Sequence, residues 1–96
     1  MAHYIVLANY TDQGIRNVKD TIKRAKAFRD TAKGMGVNVE EIYWTLGSYD
    51  VVLTVEARDD ETIASLMMKV GSLGNLKSQT LRAFSEAEIS SIVSKT

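Results

Sequence analysis

The sequence predicts an α+β fold in which two long helices cover one face of a four-stranded antiparallel sheet. Three observations predict it. Strand-like and helix-like segments follow one another in the order β-α-β-β-α-β. A short turn joins the two middle strands, which makes them a hairpin. The length of 96 residues and the 45% share of apolar residues suit a single domain over residues 1–96.

The first strand and the first long helix are predicted at the start of the chain. Residues 4–10 are apolar and aromatic over the length of a strand. Thr11 or Asp12 then offers a side-chain oxygen for a helix N-cap. Apolar residues recur every three or four positions over residues 15–35, which predicts one continuous helix that ends at glycine. The predicted apolar face consists of Ile15, Val18, Ile22, Ala25, Phe28, Ala32 and Met35.

The second and third strands are predicted at residues 37–46 and 51–57, on either side of the turn Gly47-Ser48-Tyr49-Asp50. The third strand is the most β-branched run of the chain, which makes it the best central strand. Because side chains alternate along a strand, its apolar set should face the helices. Its mixed set should lie on the opposite face of the sheet, which no helix covers and which we call the open face. The apolar set is Val51, Leu53, Val55 and Ala57, and the mixed set is Asp50, Val52, Thr54 and Glu56.

A second long helix, a fourth strand and a short final helix complete the chain. Arg58-Asp59-Asp60-Glu61 opens the second helix, and its three acidic residues suit the positive end of the helix dipole. Residues 75–84 resemble a strand. Ser85 and Glu88 have the spacing of a capping box before the final helix. The buried stripe of the second helix is predicted to be Ile63, Leu66, Met67 and Val70. The order of elements is ferredoxin-like, and right-handed connections give the spatial strand order 4-1-3-2.

The open face of this sheet predicts self-association. Two helices cover one face, so the other face must meet water or a partner. A chain of this length buries only about 60–65% of its unfolded surface, which leaves a single copy marginally stable. We therefore expect a homodimer or higher homo-oligomer whose sheets pack face to face. Such a pairing would enclose a small cavity where Tyr, Thr and Arg side chains contact a ligand.

Composition and charge exclude several classes of site. Twelve basic residues balance twelve acidic ones, which argues against a nucleic-acid or membrane-surface binder. There is no cysteine, so disulfides, thiolate metal sites and cysteine nucleophiles are excluded. His3 is the one histidine and leaves no conventional histidine-based metal site within a single chain, so we expect neither a metal nor a cofactor. The first residues lack the pattern of a signal peptide, which favours a cytoplasmic location.

Six polar residues on the strands and in the hairpin turn are the candidate ligand-binding residues. Tyr49 and Asp50 either line the mouth of a pocket, with Asp50 as a base or anchor, or act as turn residues. Arg82 either pairs its planar guanidinium with a carboxylate ligand or makes an ion pair on an edge strand. Convergence of Tyr43, Thr80 and Arg82 would favour the ligand-binding interpretation. The full set is Tyr43, Tyr49, Asp50, Thr54, Thr80 and Arg82.

Several separate segments resemble the GYD domain family over residues 4–84. The segments are Gly47-Ser48-Tyr49-Asp50, which resembles the signature of the family, Tyr4-Ile5-Val6-Leu7, Gln13-Gly14-Ile15-Arg16, Lys19-Asp20, Gly71-Ser72-Leu73-Gly74-Asn75 and Gln79-Thr80-Leu81-Arg82-Ala83-Phe84. The resemblance implies a ferredoxin-like dimeric α/β barrel and little about activity, since the family is largely of unknown function. The family often has a proline after the segment that matches residues 19–21, and here Ile22 follows instead.

Three hypotheses about function follow. The first is a small-molecule binding or sensing domain that works as a homo-oligomer, because the open face is mixed and no nucleophile–base pair is evident. The second is a cofactor-independent monooxygenase or isomerase, by analogy with related dimeric barrels, in which Tyr43, Tyr49, Asp50 or Arg82 would act in the cavity. The third is a structural protein whose barrel is filled by side chains.

Overall fold

The four strands form one antiparallel sheet in the order β2-β3-β1-β4, as a computed structural model of residues 1–96 shows. This is the predicted order read from the opposite edge, so the ferredoxin-like arrangement is confirmed. The elements are β1 Ala2–Tyr10, α1 Asp12–Arg16, α2 Thr21–Gly34, β2 Asn38–Trp44, β3 Val51–Ala57, α3 Asp60–Ser72, β4 Leu76–Ala83 and α4 Glu86–Ser94. None of these helices has both the length and the apolar character needed to cross a membrane.

The core lies between the sheet and the two long helices, α2 and α3. The alternation predicted for β3 is confirmed, since every second side chain of this strand is buried. In β1 the buried residues pair directly with those of β3, for example Val6 opposite Leu53. The buried apolar residues are Tyr4, Val6, Ala8, Ala32, Val37, Val51, Leu53, Val55, Ala57, Ile63 and Leu66. Burial of these side chains is the main force that holds the layers together.

The prediction of one continuous first helix is wrong. The chain forms the short helix α1, turns once as a 3-10 helix at Val18–Asp20 and begins again as α2 at Thr21. The predicted apolar stripe is therefore divided: Ala32 is buried in the core and Phe28 and Met35 pack against it, whereas the residues before and just after the break do not reach it. Ile15 and Ile22 are 51% and 65% exposed.

The break has a physical cause other than proline, which the chain lacks. Thr11 caps α1 by accepting a bond from the Gly14 amide, and its own amide donates to the carbonyl of Asn75 at 3.1 Å. Gly14 is buried so close to this carbonyl that a Cβ atom would lie 2.0 Å from the oxygen. These contacts fix α1 against the start of β4. The chain then passes through the 3-10 turn before α2 begins at Thr21.

The final helix α4 has the predicted capping box. The hydroxyl of Ser85 accepts from the Glu88 amide at 3.2 Å, and the Glu88 carboxylate accepts from the Ser85 amide at 2.9 Å. The Ser85 amide is the main group that holds the pKa of Glu88 below its ordinary value, and Arg82 adds to the effect. The apolar residues Ile89 and Ile92 stay exposed on this helix.

Candidate functional site

A cavity of about 330 Å³ lies between the helix layer and the sheet. Its walls are mostly apolar, and β1, β3, α2 and α3 all contribute to them. The side chains that define it include Val6, Leu53, Ala25, Phe28, Met67 and Val70. The cavity exists because α2 presents small residues such as Ala25 and Thr21 toward the sheet, with Phe28 as the one large apolar side chain among them. Small side chains at this interface leave a space that neighbouring residues do not fill.

Three polar side chains meet at the wall of this cavity. The hydroxyl of Thr21 accepts a hydrogen bond from Nε1 of Trp44 at 3.0 Å and lies 2.9 Å from the hydroxyl of Tyr10. Either hydroxyl can donate to the other, and that bond uses only one of their two protons. One hydroxyl proton of the Thr21–Tyr10 pair therefore remains free for an acceptor atom in the cavity.

Arg24 places a positive charge at the same wall. Its Nη1 and Nη2 donate to the carbonyls of Asn17 and Gly14 at 3.1 and 3.2 Å. These bonds hold the guanidinium at the junction between α1 and α2. An oxygen atom of a ligand near this wall would thus meet a fixed cation as well as a hydroxyl donor.

The structure divides the six candidate residues from the sequence among separate places. Tyr43 and Thr54 lie on the open face of the sheet, on neighbouring strands. The hydroxyl of Tyr43 donates to the carboxylate of Glu41, and this bond is the main cause of the raised pKa of Tyr43. Neither side chain belongs to the cavity described above. Whether they bind a ligand on the open face stays a prediction.

Thr80 and Arg82 lie on the other face, at the opposite edge of the sheet from Tyr43. Arg82 is paired with Tyr4 in the register of β1 and β4, which places it on the helix side. Its guanidinium lies 4.4 Å from the centre of the Phe84 ring and 3.5 Å from the Glu88 carboxylate. Tyr43, Thr80 and Arg82 therefore do not converge, because alternation in β4 turns the last two residues away from the open face, and the condition that would have favoured a shared ligand site is not met.

Tyr49 and Asp50 belong to the hairpin turn, where Gly47 adopts a positive φ of 110°. The Asp50 carboxylate accepts a hydrogen bond from the Tyr10 amide at 2.9 Å, and the Asp50 amide donates to the carbonyl of Ala8 at 2.9 Å. This is the turn role that the sequence left open as an alternative. Asp50 thus connects the hairpin to the end of β1 at Tyr10, which is one of the residues that line the cavity.

A cluster that the sequence did not predict lies at the end of the open face. Nδ1 of His3 is 3.8 Å from carboxylate oxygens of both Glu40 and Glu56. His3 is the one histidine of the chain, and the sequence therefore predicted no conventional histidine-based metal site here. Only the pairing of three strands brings these residues together, so no local pattern in the sequence could have shown it.

The polar group at the cavity was also missed by sequence reasoning. Tyr10 and Trp44 lie at the ends of the helix-side rows of β1 and β2, which the alternation of the strands could have indicated. Thr21 could not have been found in this way. It is the first residue of α2, directly after the helix break, and the direction of its side chain depends on where α2 begins.

Comparison with known proteins identifies similar sequences over nearly the whole chain. The profile of the GYD domain family matches residues 4–93. A protein of Thermus thermophilus named "Glutamine synthetase and cystathionine beta-lyase binding protein" is 36% identical over 90 residues. That alignment covers 93% of this chain and 95% of the relative.

Solved structures share the fold at low sequence identity. MtbAldR superimposes with a TM-score of 0.68 at 17% identity, covering 88% of this chain and 54% of that one, so this chain spans about half of its length. A hypothetical protein from Pyrococcus horikoshii gives a TM-score of 0.57 at 19% identity, with 90% and 93% of the two chains covered. A protein from Thermus thermophilus gives 0.56 at 23% identity, with 88% and 95% covered.

Proposed function

The chain belongs to the GYD domain family, and from that premise we propose that it is a binding and sensing protein that acts as a homo-oligomer and holds a small molecule in the cavity beside the sheet. The observation that carries this proposal is the cavity of about 330 Å³, which has apolar walls and one group of polar side chains. Such a combination is typical of sites for small organic ligands. The cavity lies within a single copy, on the helix side of the sheet, rather than between two paired sheets.

The chemistry of the walls defines the class of ligand. Apolar side chains favour a hydrocarbon body, and the free hydroxyl proton of the Thr21–Tyr10 pair favours one oxygen acceptor on it. The guanidinium of Arg24 favours a carboxylate over a neutral group. We therefore propose a short amphipathic acid as the ligand. Asp50 is bonded to a backbone amide, so we assign it a structural role rather than that of a catalytic base.

The open face supports the proposed homo-oligomer. Its centre carries apolar side chains from three neighbouring strands, with Leu7 beside Val52 and Ile5 beside Leu81. An apolar sheet face that meets water is costly, and a second copy would cover it. Two copies joined in this way form the dimeric barrel that the sequence predicts. Each copy would keep its own cavity on the outer side.

A protein partner completes the proposal. The relative from Thermus thermophilus is named as a binding protein of glutamine synthetase and cystathionine beta-lyase. By similarity, we propose that this chain also binds a metabolic enzyme in the cytoplasm and that ligand occupancy adjusts this binding. Size-exclusion chromatography of the purified chain with the glutamine synthetase of the same organism, with and without octanoate, tests this part. A glutamine synthetase peak that never shifts would remove that enzyme from the proposal.

Ligand binding is tested with octanoate and 1-octanol as probes. The two share a hydrocarbon body and differ in charge, so preference for octanoate tests the role assigned to Arg24. Bound ligand stabilises the native state by about 2.7 kcal/mol at a hundredfold excess over Kd, which raises the melting temperature. We expect octanoate to raise the melting temperature in a saturable manner. Calorimetric titration measures the affinity of the chain for octanoate.

A matched pair of variants locates the binding. Ala25→Leu fills the cavity from α2, whereas Ala64→Leu adds the same atoms at an exposed position of α3. Ala25→Leu should abolish the rise in melting temperature that octanoate causes, and Ala64→Leu should retain it. Equal responses from the two variants would show that the probe binds elsewhere, and the proposal of a cavity ligand would fail.

A further inference from the structure

We propose that His3, Glu40 and Glu56 form a binding site for a divalent transition-metal ion at the end of the open sheet face. One potential ligand atom from each of the three side chains lies within 4.8 Å of the other two. Nδ1 of His3 is 3.8 Å from Oε1 of Glu40 and 3.8 Å from Oε2 of Glu56. The site lies on the opposite side of the sheet from the cavity, so it is independent of the proposed ligand.

Three adjacent strands build the cluster. His3 of β1 and Glu56 of β3 are direct partners across the antiparallel ladder, which places both side chains on the open face. Glu40 comes from β2, where the register shifts between Val39 and Glu41. This bulge inserts Glu40 as an extra residue and allows its side chain to reach the same place as the other two.

A further contact holds one ligand in position. Nδ2 of Asn38 donates to Oε1 of Glu56 at 3.1 Å. The bond occupies one carboxylate oxygen and leaves Oε2 directed toward His3. Hydrogen bonds to the free atom of a ligand group are a usual feature of metal sites, because they fix the orientation of the ligand.

The donor set indicates the kind of metal. One imidazole nitrogen and two carboxylate oxygens suit Zn²⁺, Co²⁺ or Mn²⁺. The two negative charges of the carboxylates balance the double positive charge of such an ion. Ligand atoms around a tetrahedral Zn²⁺ lie about 3.3 Å apart, so the two separations from Nδ1 of His3 need to close by only about 0.5 Å, and the third ligand pair lies within 4.8 Å. Three protein ligands leave a position for water or for a group from a partner. The opposing interpretation is a protonated imidazole that bridges two carboxylates with no metal.

Direct metal binding decides between these interpretations. The full chain, free of any histidine tag and of bound metal, is titrated with Zn²⁺ near neutral pH against a chromophoric chelator. We expect saturable binding of one ion per chain, and Co²⁺ should give visible absorption bands of a low-symmetry site. His3→Ala and Glu56→Gln should each weaken Zn²⁺ binding by about tenfold or more.

Glu41→Gln is the matched control. Glu41 is an exposed carboxylate on the same strand, and its side chain bonds to Tyr43 rather than to the cluster. This variant should bind Zn²⁺ as tightly as the parent chain, and circular dichroism should show the same fold for all variants. An absence of saturable Zn²⁺ binding, or an equal loss in Glu41→Gln and Glu56→Gln, would overturn the metal site. In that case the cluster is a histidine–carboxylate ion pair.

Discussion

The hydroxyl of Tyr4 donates a hydrogen bond of 2.5 Å to Oδ1 of Asp60, which joins the first half of β1 to the first turn of α3. The Tyr4 ring is fully packed in the core, with 3% of its surface exposed. Burial is the largest cause that raises the pKa of Tyr4 to about 12, and the bond to Asp60 raises it further. The neutral phenol is therefore part of the folded state, and ionisation of it opposes folding.

The raised pKa of Tyr4 predicts a specific loss of stability at alkaline pH. A group with a higher pKa in the folded state than in the unfolded state stabilises the fold below the unfolded value and loses this effect as the pH rises. For Tyr4 the loss runs from about pH 10 to about pH 12. At about 1.4 kcal/mol per pKa unit, the free energy of unfolding should fall by about 2–3 kcal/mol over this pH range. Urea unfolding at a series of pH values measures it.

Tyr4→Phe separates this effect from other alkaline titrations. The variant should lose about 1 kcal/mol of stability at neutral pH, because the hydrogen bond to Asp60 is gone. It should then lose less stability than the parent chain on moving to alkaline pH. Tyr49→Phe removes a hydroxyl from the hairpin turn and should keep the pH dependence of the parent chain. Parallel curves for the parent chain and Tyr4→Phe would contradict the prediction.

Substitution of Gly14 should lower the stability of the chain for a steric reason. An added Cβ would lie 2.0 Å from the carbonyl oxygen of Asn75, which is backbone and cannot turn away. Gly14→Ala should therefore destabilise the chain by about 1–3 kcal/mol and weaken the contact between α1 and β4. In contrast, nothing lies within 4 Å of a Cβ at Gly71. Gly71→Ala should raise stability by about 0.5–1 kcal/mol, because alanine is the better helix former. Thermal unfolding of both variants checks the sign of each change.

Thr21 is the residue on which the proposed cavity site depends. Thr21→Val keeps the shape of the side chain and removes the hydroxyl that bonds to Tyr10 and Trp44. We expect a loss of about 1–2 kcal/mol in stability and of about tenfold in octanoate affinity. Thr31→Val is the control, since Thr31 lines the same cavity on the same helix. Equal effects of the two substitutions on urea unfolding and on octanoate titration would remove the special role of Thr21.

The fold could be predicted because its determinants are local. Alternation in β3 identifies the buried set, and the spacing of Ser85 and Glu88 predicts a capping box that the structure contains. Chain connectivity then leaves few arrangements of four strands. These patterns act over a few residues, so they can be read from one sequence without knowing the packing.

The candidate sites could not be predicted because they depend on contacts between distant segments. The close approach of Gly14 to Asn75 ends α1 early, and this break determines which residues of α2 face the sheet. The bulge at Glu40 brings a third side chain to His3, although strict alternation gives no sign of it. Both features come from tertiary packing that overrides a regular pattern. The face on which Arg82 lies could not be assigned for a related reason, since the register of an edge strand is not visible in its composition.

Leu81 lies on the face through which the proposed homo-oligomer would form. It is 38% exposed on the open face and pairs with Ile5 of β1. Leu81→Asp would place an uncompensated charge in the centre of a face-to-face contact, so we expect dissociation to monomers in analytical ultracentrifugation. Ile22→Asp is the control, because Ile22 is exposed on α2, away from that face. A parent chain that sediments as a monomer at micromolar concentration, or a Leu81→Asp variant that stays associated, would show that the open face does not hold copies together.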